Sequence, residues 1–281
     1  ISKIFSFFLL INLLTYFSGG LFQDNFGSAV YFLGIRVNIN YIFLFSCVIS
    51  MISFYQGKKN DRIIAIIGII SGLMFSLLEW VSTSIGASLI MITIIIGLHQ
   101  ITKQHSYKKF IIITATILVA GVISFTISPN VEDFGWFIEG VLGEDLTMDG
   151  RTDIWLSALS QIKGNKWFLG NGVSHDYEFA LANGAFVSHP HNQYLAIIFI
   201  YGIIGLVIFV LMLLKTIKIS VEDRNFNNKA ILISGFFSIV IMGISMTYFS
   251  QAYWLIWYIA CHCIVKQDNT SLKHKLRTRR C

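Results

Sequence analysis

The residues best suited to chemistry in this chain lie where a polar segment enters an apolar run. His189 and His191 flank Pro190, Asn192 follows, and the apolar run begins at Gln193. Ionisable residues at the mouth of a membrane helix are costly to keep there, so this cluster is a candidate functional site. Because proline biases the preceding residue towards an extended backbone, we expect the two imidazoles to point differently and one of them to face a site.

A histidine in this position has three interpretations, as a general base, a pH-sensitive structural hydrogen bonder or a metal ligand. Upstream, Arg151 opens the segment 151–162, whose apolar residues fall on one stripe at helical spacing and predict an amphipathic helix. Free backbone N–H groups beside Arg151 would make an anion site. The alternative is a packing helix at the membrane interface whose arginine touches lipid head groups.

Three other groups of residues draw attention. Gly170-Asn171-Gly172 forms a glycine-rich turn between the arginine and the histidines, and Arg36 stands at another helix entrance. Gly202 and Gly205 lie three apart in the apolar run, a spacing suited to close helix packing.

The sequence predicts no metal and no cofactor, because it has no run of ligands at metal-binding spacing and no phosphate-binding loop. Cys261 and Cys263 flank His262, but residues two apart on a helix point to different faces, which favours a structural role. The acids at 144, 145 and 149 could hold a hard cation, although solvated acids in an outer loop are the commoner explanation.

Composition predicts an all-α, polytopic membrane protein, since 55% of the residues are hydrophobic and only 13% are charged. We expect one integral membrane domain over 1–281 with about eight spans. The predicted spans are 4–17, 41–55, 63–78, 85–98, 110–127, 193–214, 230–248 and 252–265.

Orientation follows from the basic residues, most of which fall in alternate connections and in the tail 266–281. That side is predicted to be cytoplasmic and to hold both visible termini. The longest connection, 128–191, is then external and contains the amphipathic helix and the predicted catalytic residues. Beside a membrane, the basic tail indicates contact with anionic lipid rather than with nucleic acid.

An arginine and a histidine, acting without a metal, suit a glycosyl transfer in which the sugar donor is a lipid pyrophosphate. A guanidinium matches phosphate oxygens and keeps its charge, and a neutral histidine can take the proton from an attacking hydroxyl. Because the outer face of the membrane lacks nucleotide sugars, a preloaded lipid donor is the logical substrate.

These residues resemble the O-antigen ligase and polymerase superfamily of bacterial inner-membrane proteins. The resemblance rests on Gly150-Arg151 followed by Trp155, on Leu169-Gly170-Asn171-Gly172, and on His191-Asn192, which nine residues separate from Gly202-Ile203-Ile204-Gly205-Leu206. The segment Thr83-Ser84-Ile85-Gly86 is similar to a family segment in which an arginine often stands at the position of Ile85. That departure removes one phosphate ligand or shifts its duty to Arg36.

The resemblance implies transfer of an undecaprenyl-pyrophosphate-linked glycan on the external face of the bacterial inner membrane. His191 would be the catalytic base, with Arg151 and Arg36 gripping pyrophosphate. We expect the donor and glycan site to be completed by Asn192, His189, Gly170 and Gly172. The acceptor is a second lipid-linked repeat in a polymerase or lipid A core in a ligase, and some relatives use protein. The partners expected are these substrates, membrane lipid and polysaccharide export machinery.

Two other functions stay open at this stage, a transporter or flippase for lipid-linked sugars and a non-catalytic organiser of an export complex. A transporter usually carries charges within its spans and shows repeat symmetry, and neither is visible here. The chain lacks an initiator Met and family members usually have more spans, so we expect the C-terminal part of a longer, N-terminally truncated member.

Overall fold

A computed structural model describes most of the chain. The described residues are 2–24, 27–35, 39–57, 59–101, 107–127, 151–173, 178–180, 184, 186–222 and 226–244. They divide into two compact units. The first contains the described residues of Ile1–Lys108 and Lys218–Ile239, and the second those of Lys109–Ile217 and Val240–Gln251.

Helices make up most of the described chain. In chain order they are α1 (Ser2–Phe17), α2 (Ile39–Gln56), α3 (Lys59–Leu78), α4 (Ser82–Ile101), α5 (Tyr107–Ile127), α6 (Arg151–Gln161), α7 (Lys166–Leu169), α8 (Gln193–Glu222) and α9 (Phe226–Met242). The connections hold short strands, β1 (Phe22–Gln23), β2 (Ala29–Tyr31), β3 (Gly34–Ile35), β4 (Phe179–Ala180) and β5 (Phe186–Val187).

The predicted apolar segments coincide with helices from α1 to α5 and with α8 and α9, while the segment 252–265 lies outside the described residues. Among the described residues, two helices are long and apolar enough to cross a membrane, Lys59–Leu78 and Gln193–Val221. Shorter apolar helices cover Ser2–Phe17, Ile42–Tyr55, Ser84–Leu98 and Asn227–Met242. The helical class is therefore confirmed, and the number of spans stays a prediction.

Small residues let the helices of the first unit approach closely. Gly68 of α3 lies against Ser6 of α1, and Gly72 lies against the ring of Phe43 from α2. All four of these residues are buried. Close backbone approach at small residues is the usual basis of helix association in membranes, where lipid gives no hydrophobic drive.

Polar side-chain contacts occur near both ends of helix α3 in this unit. The ammonium of Lys3, at the start of α1, lies 2.8 Å from a carboxylate oxygen of Asp61, at the start of α3. At the opposite ends of these helices, the Tyr31 hydroxyl donates to the Glu79 carboxylate. Each contact joins two segments that the basic-residue pattern predicts to lie on the same side of the membrane.

The short strands are the part of the fold that the all-α prediction does not include. In the first unit β2 pairs with both β1 and β3 in antiparallel register, and in the second β4 pairs with β5. Backbone N–H and C=O groups in a connection between helices need partners just as helical ones do. Pairing of the connection with itself supplies these partners.

Helix α8 is interrupted at Gly202, whose φ of 65° and ψ of −168° are not helical. In a continuous helix the carbonyls of Phe199 and Ile200 would accept from residues four further along. Here they accept from the chain that follows α7: Asn171 N donates to Phe199 O over 2.7 Å and Gly172 N donates to Ile200 O over 3.0 Å. The glycine-rich turn is therefore docked on the break in the helix.

The two glycines predicted to allow close helix packing have different neighbours. A Cβ at Gly202 would collide with the carbonyl of Phe168, which lies in α7, and with the backbone N of Gly170 in the turn that follows. A Cβ at Gly205 would meet the side chain of Tyr201 from its own helix. The close approach predicted from the spacing is therefore present at Gly202, where the partner is the short helix α7 and its turn, while the neighbour of Gly205 belongs to α8 itself.

We predict that Gly202→Ala destabilises the second unit by about 2 kcal/mol or more, because the new methyl must displace backbone as well as adopt a strained φ. Gly164→Ala is the matched control, since Gly164 also has a positive φ, 55°, but has open space around its missing Cβ. Thermal unfolding of both variants in detergent tests this. Equal melting temperatures for the two variants would contradict the docking.

Candidate active site

Helix α6 presents its apolar stripe to the protein interior, as its spacing predicts. Ile154, Trp155 and Ala158 are buried, and Arg151 stands half-buried at the first position. The indole Nε1 of Trp155 donates to the carbonyl of Pro190 over 2.8 Å, and the Trp155 side chain is fully buried. This bond fixes the helix that carries Arg151 to the segment that carries both histidines.

A strand pair carries the chain from α6 to the histidines. Gln161, the last residue of α6, donates from Nε2 to the carbonyl of Glu178 over 3.0 Å, just ahead of β4. The ring of Phe179 on β4 packs edge-on against Phe199 of α8, with centroids 5.0 Å apart. Because β5 pairs with β4 and leads directly to Ser188, these contacts set where the histidines emerge.

The two histidine rings lie in contact, which corrects the prediction that they point differently. The centroids of His189 and His191 are 4.1 Å apart, with an angle of 47° between the ring planes. The physical reason is that His191 has a φ of 49°, in the left-handed region, which turns the chain back after Pro190. The Ser188 hydroxyl lies 3.3 Å from Nδ1 of His189.

Asn192 caps α8 with its side chain. Its Oδ1 accepts from the backbone N of Tyr194 over 3.0 Å and of Leu195 over 3.1 Å, the geometry of a helix N-cap. Its Nδ2 donates to the Thr126 hydroxyl of α5 over 3.3 Å, and none of the residue is exposed. The predicted contact of Asn192 with substrate stays a prediction, and the role visible in the structure is to position His191.

Burial and positive charge keep the histidines neutral. Burial, then the charge of His189, then that of Arg151 lower the pKa of His191 from 6.5 to about 4. Burial also lowers the pKa of His189. Arg151 lies one helical turn before Trp155 on α6, and Trp155 is bonded to Pro190, so the two predicted catalytic residues lie on segments that the structure joins directly. At neutral pH the imidazole of His191 is a free base.

The other predicted site residues differ in what the structure shows. The N–H of Gly170 donates to Lys166 O and that of Gly172 to Ile200 O, so both groups serve the docked turn, and their binding of substrate stays a prediction. Arg36 lies outside the described residues. Within the described part of the chain, no group of three metal-ligating side chains occurs.

Sequence reasoning missed two residues that support the site. Thr126 receives the Asn192 amide, and the hydroxyl of Tyr194 donates to the carbonyl of Val240 over 2.6 Å. The Gln193 N–H likewise donates to Gly243 O over 2.8 Å. A tyrosine and a threonine within apolar runs are the available signal, because a buried hydroxyl needs a partner.

We predict that Trp155→Phe lowers the free energy of unfolding by about 1 to 3 kcal/mol, because the buried carbonyl of Pro190 loses its donor while the aromatic volume is largely kept. Trp167→Phe is the control, since no hydrogen bond to its indole nitrogen is present in the described structure. Melting temperatures in detergent decide the matter. A loss for Trp167→Phe as large as that for Trp155→Phe would contradict the assignment.

The histidine pair predicts a shifted titration. Neutral imidazole reacts with diethylpyrocarbonate, so His191 should stay reactive as the pH falls below 6.5 and lose reactivity only near pH 4. In His189→Ala the midpoint should rise towards 6.5, because a desolvating ring and a neighbouring positive charge are removed. Lys166→Ala, which removes an exposed charge, should leave the midpoint of His191 unchanged. Peptide fragmentation mass spectrometry measures the modification of His191. Equal midpoints in the wild type and both variants would refute the effect of His189 on the pKa of His191.

Comparisons with known proteins identify relatives of this chain. A family model described as O-antigen ligase matches residues 69–210, a range that contains Arg151, His191 and the break at Gly202. An O-antigen ligase of Pseudomonas aeruginosa PAO1 is 31% identical over 120 residues, which are 42% of this chain and 26% of that protein. The chain thus aligns with about a quarter of the relative's length, and no solved structure matches it significantly. Since the family model covers half of the chain, the protein belongs to the O-antigen ligase family.

Proposed function

We propose that this protein is a glycosyltransferase that moves a glycan from an undecaprenyl-pyrophosphate-linked donor to an acceptor hydroxyl, without a metal or a nucleotide. The observation that carries the proposal is the buried hydrogen bond from Trp155 to Pro190, which joins the helix that begins at Arg151 to the turn that holds His191 ahead of α8. These residues fall inside the range that the O-antigen ligase family model matches. Membership of the family favours glycan transfer over transport.

Arg151 is assigned to the leaving group. It is the first residue of α6, so the positive end of the helix dipole and the guanidinium present positive potential together. Departure of a pyrophosphate develops negative charge, and fixed positive groups stabilise such a transition state. Arg36 is the proposed second cation, which would grip the same group.

His191 is assigned as the general base. A base with a pKa of about 4 accepts a proton weakly at neutral pH, so the empty site alone is a poor catalyst. A bound pyrophosphate brings negative charge next to the ring, which favours the protonated imidazole and raises its pKa. The donor itself would therefore strengthen the base when both substrates are in place.

The reaction balances with these groups alone. His191 takes the proton of the acceptor hydroxyl as its oxygen bonds to the anomeric carbon of the donor sugar. The bond from that carbon to the pyrophosphate oxygen breaks, and undecaprenyl pyrophosphate leaves with the electron pair. The imidazolium then loses its proton to the departing phosphate or to water. His189, in ring contact with the base, shields it from water, and this burial favours the return of His191 to the neutral form.

We place this chemistry on the outer face of the bacterial cytoplasmic membrane, with both visible termini in the cytoplasm. The contacts Lys3–Asp61 and Tyr31–Glu79 support this topology, since each joins segments assigned to one side. The acceptor is either another lipid-linked repeat, giving O-antigen or capsular polymer, or lipid A core. Both share the chemistry described, and the export machinery would receive the product.

The proposal predicts that His191→Ala and Arg151→Ala each lower the rate about 10² to 10⁴-fold, which is the usual loss of a general base or of a charge-stabilising group. Purified protein is reconstituted with lipid-linked glycan extracted from the source cells, in the presence of EDTA. Product is measured by gel and mass spectrometry. Arg151→Lys should recover part of the rate, because a point charge replaces part of a bidentate grip.

Lys163→Ala is the matched control for the arginine, since it removes an exposed cation shortly after α6. It should keep the full rate. Normal product from both His191→Ala and Arg151→Ala would eliminate the assignment, and complete inhibition by EDTA would eliminate metal independence. In a deletion strain the enzyme predicts unpolymerised or unligated glycan lipid on the outer face of the membrane, whereas a flippase predicts it on the inner face.

A further inference from the structure

The junction between α3 and α4 holds a tryptophan in a conformation that usually requires glycine. Trp80 has a φ of 48°, and Val81 N donates to Ser76 O over 2.8 Å, which together form a Schellman C-cap. Glycine is the usual residue at this left-handed position, and a residue with a Cβ costs roughly 1 to 2 kcal/mol there. The chain carries the bulkiest side chain where the smallest would be more stable.

Packing does not compensate for this strain. The side chain of Trp80 is 73% exposed, so it contributes little to the interior of the first unit. Strained residues that persist without a packing benefit concentrate at ligand-binding sites. The strain at Trp80 therefore indicates a function for its exposed indole.

The neighbouring residue, Glu79, is held in a fixed orientation. Its carboxylate accepts from the hydroxyl of Tyr31, which is itself 6% exposed. The Tyr31 ring packs edge-on against Phe75 with centroids 5.0 Å apart, and it also contacts Tyr16. In the part of the chain that the structure describes, no lysine or arginine pairs with Glu79.

The turn that carries Tyr31 is itself pinned to α1. Leu33 N donates to Oδ1 of the buried Asn12 over 2.8 Å, and Phe32 N donates to the Thr15 hydroxyl over 3.1 Å. The side chains of Asn12 and Thr15 thus accept hydrogen bonds from the backbone N–H groups of this turn, and these bonds hold the Tyr31 side chain in place. The carboxylate of Glu79 is therefore presented by a preorganised support.

We propose that Glu79 and Trp80 form a glycan-binding subsite for a pyranose ring of the lipid-linked substrate. An exposed indole offers a flat apolar face to the C–H face of a sugar ring, and a carboxylate accepts two hydroxyl hydrogen bonds from its edge. The free carboxylate oxygen is the open half of that acceptor pair. This proposal deepens the proposed function and rests on it for the identity of the ligand.

A tryptophan that only anchors a helix at the membrane interface is the competing explanation. An anchor does not require a left-handed backbone, since any nearby position of α3 or α4 could carry it. It also gains nothing from a neighbouring oriented carboxylate. The combination of strain, exposure and a fixed acid therefore favours a sugar.

The decisive test uses Trp80→Gly, which should raise the melting temperature because glycine relieves the strained cap, while it removes the indole. We expect this variant and Glu79→Gln each to raise the KM for lipid-linked glycan extracted from the source cells about tenfold, with kcat changed less than about twofold. Trp80→Phe should retain most of the affinity. Phe22→Ala, which removes another exposed aromatic ring from the first unit, should match the wild type.

The proposal is overturned if Trp80→Gly leaves KM unchanged, or if it lowers the melting temperature and kcat together as a structural residue would. A binding readout separates this failure from that of the enzyme. In 5-fluorotryptophan-labelled His191→Ala protein, the fluorine resonance of Trp80, identified by its loss in Trp80→Phe, should shift on adding the extracted glycan lipid. Full activity of unlabelled His191→Ala would refute the proposed base, whereas a fixed resonance would refute the subsite.

Discussion

The hydrogen bond from the Trp155 indole to the Pro190 carbonyl is the contact on which the geometry of the site depends. It is fully buried, and it joins the helix that begins at Arg151 to the turn between the two histidines. A buried carbonyl without a donor is costly, so this bond favours one position of α6 against the turn at Pro190. Since Asn192 ties the same turn to α5 through Thr126, the imidazole of His191 is positioned by partners on both sides.

The apolar helices were predictable from the sequence because each depends on local hydropathy, and the same holds for α6, whose period-3.6 stripe is buried where expected. The cap at Asn192 also follows from local rules, since asparagine before an apolar run is a common helix start. The docking of Gly170-Asn171-Gly172 on α8 could not be derived, because it joins residues about 30 apart through backbone atoms that no side-chain pattern reports. The contact of the two histidines was missed because it depends on a positive φ at His191, which residue type does not predict.

Two kinds of glycine perform different tasks in this protein. Gly68 and Gly72 allow helices to pack within the first unit, as small residues do in membranes. Gly170 and Gly202 lie in contact at the break in α8, where a Cβ on either residue would collide with backbone atoms. The family resemblance therefore includes glycines whose visible role is structural. Their spacing marks the place where the turn is bonded to α8, in the same unit as the proposed site residues.

The interruption at Gly202 has a mechanical consequence for α8. The turns before it are fastened to their surroundings through Asn192, Gln193 and Tyr194, while residues 203–222 remain about long enough to cross a hydrocarbon core alone. A bilayer that thickens or thins makes a spanning helix change its tilt. Because Gly202 interrupts the helical hydrogen bonds, a change of tilt in the longer segment would reach the segment that follows His191 through this residue and through the ring contact of Tyr194 with Phe209.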